Sequence, residues 1–324
     1  MNTKSGIYFI VSNLEISGEI PFEIIPGHTL RKARDLEIQK IDHLIEIALR
    51  NRALLWIPYD GLYHQVPTES GGTTLSRTLL PKENWKYWVI AYNGYNYRQF
   101  DIMRAALLLP FDFQIGTKIL FSDENQNGQI VGYSYIQDHL VEKCNDWDVV
   151  CMSPTKIDSK ELYRIGEIIC LISELKEKNQ EISNHFLTAI SRFEEVMKVG
   201  RKTDLIIVGL FALIEFLITH KPRLNENLDS ITHQIINKIV LLRKRYSRQI
   251  VTDKYFSKAT EETIWKKLYA YRSSIAHGSG FQFNKDGVML KNKYNVIEFL
   301  EENIKELLLL LLKEPDLVFD IRGC

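Results

Sequence analysis

Arg272 and His277 stand five residues apart in the run Tyr-Arg-Ser-Ser-Ile-Ala-His-Gly, residues 271 to 278. Side chains of these two types suit cleavage of RNA by its own 2′-hydroxyl, which needs a base, an acid and positive charge on the developing phosphorane. A positioned acid or base contributes roughly 10²- to 10⁴-fold, and histidine can serve as either. A guanidinium grips phosphate oxygens with paired donors and keeps its charge. Five residues of regular helix turn the direction by about 140°, so Arg272 and His277 of one chain need not converge. Two copies packed about a twofold axis would bring two of each around one phosphate. The spacing by itself is common, since an Arg five to seven residues ahead of some His is expected about once by chance in such a chain. A solvated capping arginine and a histidine that merely marks a helix end are the plain alternatives.

Two more residues fall near this pair. Ser273 could orient a phosphate or the partner copy's histidine. Glu215 is the one charge in the apolar run Leu205 to Thr219 and needs a partner if buried. From Lys221 to Lys258 nine Lys and Arg face three acids, a local charge of +6 in a chain whose net charge is zero. Within that segment Lys238, Arg243, Lys244, Arg245 and Arg248, with Tyr246 among them, could track a nucleic-acid backbone, because phosphate contacts supply affinity without sequence information. A solvated helix face is the competing reading.

The elements that must carry these residues divide the chain in two. With 324 residues, 45% of them hydrophobic and 25% charged, the composition is that of a globular protein able to bury a large core, and the length predicts two domains. Its charge balance, 41 Lys and Arg against 41 Asp and Glu, rules out a generally polycationic binder. Residues 1–157 read as α+β. Strand candidates are 7–12, 54–59, 87–92, 117–121 and 130–135, with helices over 33–50 and 99–109 and a polar loop over 65–74 containing Gly71-Gly72. Residues 158–324 read as all-α.

Asp158 or Ser159 can cap the first helix of that second half, with Glu161 placed to reach back. A helix over 181–199 puts Ile182, Phe186, Ile190, Phe193 and Met197 on one stripe. The next, 203–219, is apolar all round and belongs in the middle of a bundle, ended by Lys221-Pro222. Two more follow over 228–247 and 259–277. The latter turns Ile264, Leu268, Tyr271 and Ile275 inward and ends at Gly278, and a Leu-rich helix over 295–313 closes the bundle.

On these residues the C-terminal half resembles the HEPN superfamily, most nearly its Apea-like branch, over about residues 181–313. Three features carry the resemblance: the buried helix with a single acid, VGLFALIEFL (208–217); YRSSIAHG, which has the superfamily's R-x4-6-H pattern with a polar residue after the Arg; and the Leu-rich closing helix. The segment PGHTLRKARDLEIQKI (26–41) is similar to one that recurs ahead of Apea-like HEPN domains. The resemblance implies a helical bundle that dimerises and cleaves RNA without a metal, with Arg272 and His277 catalytic and Glu215 near them, orienting Arg272. It also implies a role in antiphage defence or as a toxin, with RNA as partner (tRNA among the candidates). The α+β half would then sense a trigger, a phage-derived component or a nucleotide, or select the substrate.

Other signals are negative. Gly200-Arg201-Lys202-Thr203 has the end of a phosphate-binding loop without its beginning. Seven further histidines show no ligand spacing, and no metal or cofactor is expected. Cys144, Cys151, Cys170 and Cys324 form no C-x-x-C pair, and the N-terminal residues lack an export pattern, which points to a reducing cytoplasm. The run at 205–219 falls short of a membrane span. Trp85, Tyr87, Trp88, Tyr92, Tyr95 and Tyr97 could stack bases, though strand cores use such residues more often. Two other readings stay open: a HEPN module that dimerises and binds RNA or protein without cutting, and an antitoxin-like partner of another enzyme.

Overall fold

The computed structural model describes residues 5–10, 14–49, 59–93, 97–111, 115–121, 155–221 and 230–324. The chain forms a sheet-containing N-terminal region followed by a mostly helical C-terminal region. It splits into two compact units, Met1–Ile169 and Cys170–Cys324.

In the first unit an antiparallel five-stranded sheet has the order β3 (Phe22–Ile25), β4 (His28–Lys32), β7 (Trp88–Asn93), β1 (Ser5–Ile10), β8 (Ile115–Phe121). β1 and β7 are inner strands, and Ile7 to Ile10 and Trp88 to Ile90 are buried in an unbroken run rather than in alternation. Side chains still alternate between faces. Tyr8 stacks on Tyr92 at 4.5 Å and meets Phe100 of α2 (Tyr97–Phe111) at 5.3 Å, while Phe9 meets Tyr59 and Tyr87. Tyr87 donates to Asp42 of α1 (Asp35–Leu49) at 2.7 Å, and burial holds the Asp42 carboxyl above its ordinary range. At the start of α1, Glu37 accepts both guanidinium donors of Arg31 at 2.7 Å and the Arg34 backbone N–H, so the 26–41 segment is a strand tied to the helix that follows it.

β2 (Leu14–Ile16) pairs in parallel with β9 (Thr155–Ile157), and β5 (Gly61–Pro67) pairs with β6 (Thr73–Leu79) as a hairpin. That hairpin corrects the loop expected over 65–74. Only Thr68 to Gly72 reverses the chain, with Gly71 at φ +80°. Of the expected strands, 130–135 and most of 54–59 lie outside the described residues. Tyr87, Trp88 and Tyr92 are buried in the core.

Helix α3 (Ser159–Lys178) opens with a reciprocal cap: Asp158 Oδ1 accepts from Glu161 N–H and Glu161 Oε2 accepts from Asp158 N–H, both at 3.0 Å. The division between the two units falls inside this helix, which the sequence reading assigns wholly to the second half. In the second unit α5 (Leu205–Ile218) packs against α4 (Gln180–Met197), α6 (Ile231–Arg243), α8 (Glu261–Ala276), α9 (Lys293–Lys313) and α10 (Pro315–Gly323). The central position follows from its composition, because an all-round apolar helix loses least when every face is covered. The short α7 (Thr252–Tyr255) lies against α9. α9 is buried almost end to end, polar residues Glu301, Asn303, Lys305 and Glu306 included. No described helix is long and apolar enough to cross a membrane.

Candidate functional site

Helix α8 carries the Arg and His. Its start is capped by Thr260, whose hydroxyl accepts from Thr263 N–H, and Glu261 and Glu262 occupy the first turn, where the helix dipole favours acids. Ile264, Trp265, Leu268 and Tyr271 are buried. The helix ends in a two-bond Gly cap: Gly278 N–H donates to Ile275 O at 3.1 Å and Ser279 N–H donates to Ser274 O at 2.9 Å, with Gly278 at φ +66°. This cap satisfies carbonyls of the last turn and sets His277 as an exposed residue at the helix terminus. The strand of chain beyond it turns back, and Phe281 and Phe283 pack on Tyr271 at 4.4 and 5.1 Å.

Arg272 leaves α8 toward α5. One guanidinium nitrogen lies 3.3 Å from Glu215 Oε1, both side chains being 23% exposed. The contact is an ion pair rather than a well-aligned hydrogen bond, since Arg272 Nε and Glu215 Oε1 are both buried with no hydrogen-bond partner among the described residues. Burial pushes the Glu215 carboxyl above its ordinary range, and Arg272 pulls it back only in part. The same guanidinium lies 5.6 Å from the centre of the Tyr269 ring, one helical turn back. Ser273 is half-buried, and its carbonyl accepts from His277 N–H at 3.0 Å. Arg272 and His277 therefore share one helix end but diverge around its axis, as five residues of helix require.

The basic segment behaves differently from the surface groove expected of it. Lys238 is buried, with its ammonium near Gln234 Oε1, His220 Nδ1 and the Arg322 carbonyl at 3.1 to 3.2 Å. Arg243 is 5% exposed and donates to Asn303 Oδ1 at 2.5 Å, to the Ile250 carbonyl at 2.7 Å and to Glu261 at 3.2 Å. Arg245 holds Glu314 with two contacts of 2.8 Å, and Arg248 lies 3.6 to 3.7 Å from Glu302 and Glu306. Tyr246 is buried and donates to the Asn303 carbonyl. Lys244 is exposed. The structure thus places Lys238 and Arg243 in the interior among internal acceptors, not on the surface groove the sequence suggests, because a buried cation is held by the polar groups that compensate its lost hydration. Arg245 and Arg248 are exposed but already face carboxylates.

One constellation escaped the sequence reading. Tyr269 is half-exposed, its ring set perpendicular to the buried Phe211 of α5 (85°, 5.8 Å) and beside Arg272. Its spacing was the available signal: Tyr269, Ser273 and His277 recur every four residues along one side of α8. On α4, His185 stacks on Phe216 at 4.2 Å and Arg192 lies 4.0 Å from the same ring. Burial, with Arg322 and Arg192 adding to it, lowers the His185 pKa to about 4. No three His, Cys, Asp or Glu side chains among the described residues are grouped as ligands of one metal ion would be.

No protein-family model, curated protein or solved structure matches this chain.

Proposed function

We propose that this protein is a metal-independent endoribonuclease of HEPN type, which cleaves RNA by 2′-hydroxyl attack at a site completed by two copies of the chain. The observation that carries the reading is the half-buried Arg272–Glu215 pair at the same helix end that presents His277 to solvent. Glu215 aims Arg272 without neutralising its remaining donors, and the guanidinium's role is to bind the scissile phosphate and stabilise charge on the phosphorane. His277, exposed at the helix end, serves as acid or base to the 5′-oxygen leaving group or the 2′-hydroxyl. Because Arg272 and His277 diverge around α8, the second acid–base group comes from the twofold-related copy. The first unit selects substrate or restrains the nuclease until a phage-derived component or a nucleotide binds, in a cytoplasmic defence or toxin role.

Purified full-length protein incubated with total RNA and with tRNA, with and without EDTA, tests this. Cleavage that survives EDTA, leaves 2′,3′-cyclic phosphate ends and disappears in Arg272→Ala and in His277→Ala is expected. Loss of cleavage with retained RNA binding in the two variants fits the same scheme. RNA binding without cleavage by the parent under all activating conditions would assign the bundle to binding alone, and co-purification with a separate nuclease chain would assign it to an antitoxin-like role.

A further inference from the structure

We infer that Tyr269 is a nucleobase-stacking platform beside the cleavage site, so that the substrate is single-stranded RNA held by one unpaired base next to the scissile phosphate. The inference rests on the nuclease reading and deepens it. Two observations place the ring for this work. It is half-exposed on α8 while the inward stripe of the helix is already filled by Ile264, Trp265, Leu268 and Tyr271. Its plane is set by a perpendicular contact with Phe211, a fully buried residue of the central helix α5, so little side-chain freedom remains to be lost when a base stacks on it.

Arg272 sharpens the assignment. With its guanidinium carbon 5.6 Å from the ring centre, Arg272 sits beside Tyr269 as well as facing Glu215, so an aromatic surface and a phosphate-gripping cation adjoin within one helical turn. Tyr269, Ser273 and His277 are spaced by four, so they lie about 6 Å apart along the helix, two turns in all. Successive bases of an extended strand are separated by a comparable distance, and every base has a face to stack. Such a platform is tolerant of sequence and selective for strands whose bases are unpaired.

The test uses full-length protein and a fluorescein-labelled uridine strand carrying 2′-O-methyl groups, which cannot be cut by 2′-hydroxyl attack, alongside an identical strand with abasic sites at its centre. Tyr269→Leu is expected to weaken binding of the base-bearing strand by roughly 5- to 150-fold, the range that base stacking supplies, and to leave binding of the abasic strand unchanged. Tyr269→Phe is expected to bind like the parent, and unaltered thermal midpoints exclude a folding effect. Equal binding by Tyr269→Leu and parent, equal losses on both strands, or no RNA binding by the parent would each overturn the inference. The nuclease reading fails on a different measurement, persistence of cleavage in Arg272→Ala and His277→Ala, so the two failures are distinguishable.

Discussion

Glu215 of α5 and Arg272 of α8 lie 3.3 Å apart, yet burial raises the Glu215 carboxyl more than the arginine lowers it. The ionised Glu215 carboxylate is thus disfavoured by its burial, and its proposed role of orienting Arg272 is separate from any role in stability.

Replacing Glu215 with Gln separates those two roles. A carboxyl raised in the folded state binds more protons there than in the unfolded chain. Stability therefore falls as pH rises through the window between its ordinary value and the raised one, and the penalty persists above it. Glu215→Gln should match or exceed the parent's thermal midpoint at neutral pH and lose this part of the pH dependence, while RNA cleavage falls about 10-fold or more because Arg272 is no longer aimed. A large drop in midpoint with unchanged cleavage would reverse the assignment.

His185 provides a pH dependence of the opposite sign. Its folded-state pKa of about 4 lies below the ordinary 6.5, so between these values the unfolded chain holds a proton that the folded chain refuses. Its contribution to stability is complete above pH 6.5 and is lost as pH falls toward 4. His185→Phe, which keeps an aromatic ring against Phe216, should show a shallower fall in thermal midpoint over that window than the parent.

Arg243 should behave as a core residue. Arg243→Ala leaves Asn303, the Ile250 carbonyl and Glu261 without their shared donor, and a loss of about 3–5 kcal/mol is expected from denaturant unfolding. Lys244→Ala, by contrast, removes an exposed side chain and should leave unfolding within about 0.5 kcal/mol of the parent.

Gly278 controls where α8 stops. A Cβ there would meet no atom within 4 Å, so Gly278→Ala is penalised by its φ of +66° rather than by a clash. The expected cost is roughly 1–2 kcal/mol by chemical denaturation. Because the cap sets His277 at the helix terminus, cleavage should fall further than stability alone explains.

The helical half was largely legible in the sequence, for a local reason. Period and caps are properties of neighbouring residues, so the Asp158–Glu161 box, the central α5 and the Gly278 stop could be read directly. The short strands β2, β3, β4, β5, β6 and β9 were not, since three to seven mixed residues carry little pattern and their pairing is made by distant partners. α10 was missed because its nine residues lie beyond the Leu-rich run that looked like a natural end.

Charge divides most sharply between the two levels of description. Counting along the chain makes 221–258 a segment of +6, but its acids come from elsewhere: Glu261, Glu302, Glu306 and Glu314 fold against Arg243, Arg248 and Arg245. Electrostatic partnership depends on distance in space, which residue order does not encode. For the same reason the primary structure by itself determined that Arg272, Ser273 and His277 share one helix end, because a helix's geometry is local. Only the tertiary packing decided that Arg272 meets Glu215, that His277 stays exposed, and that Lys238 and Arg243 belong to the core.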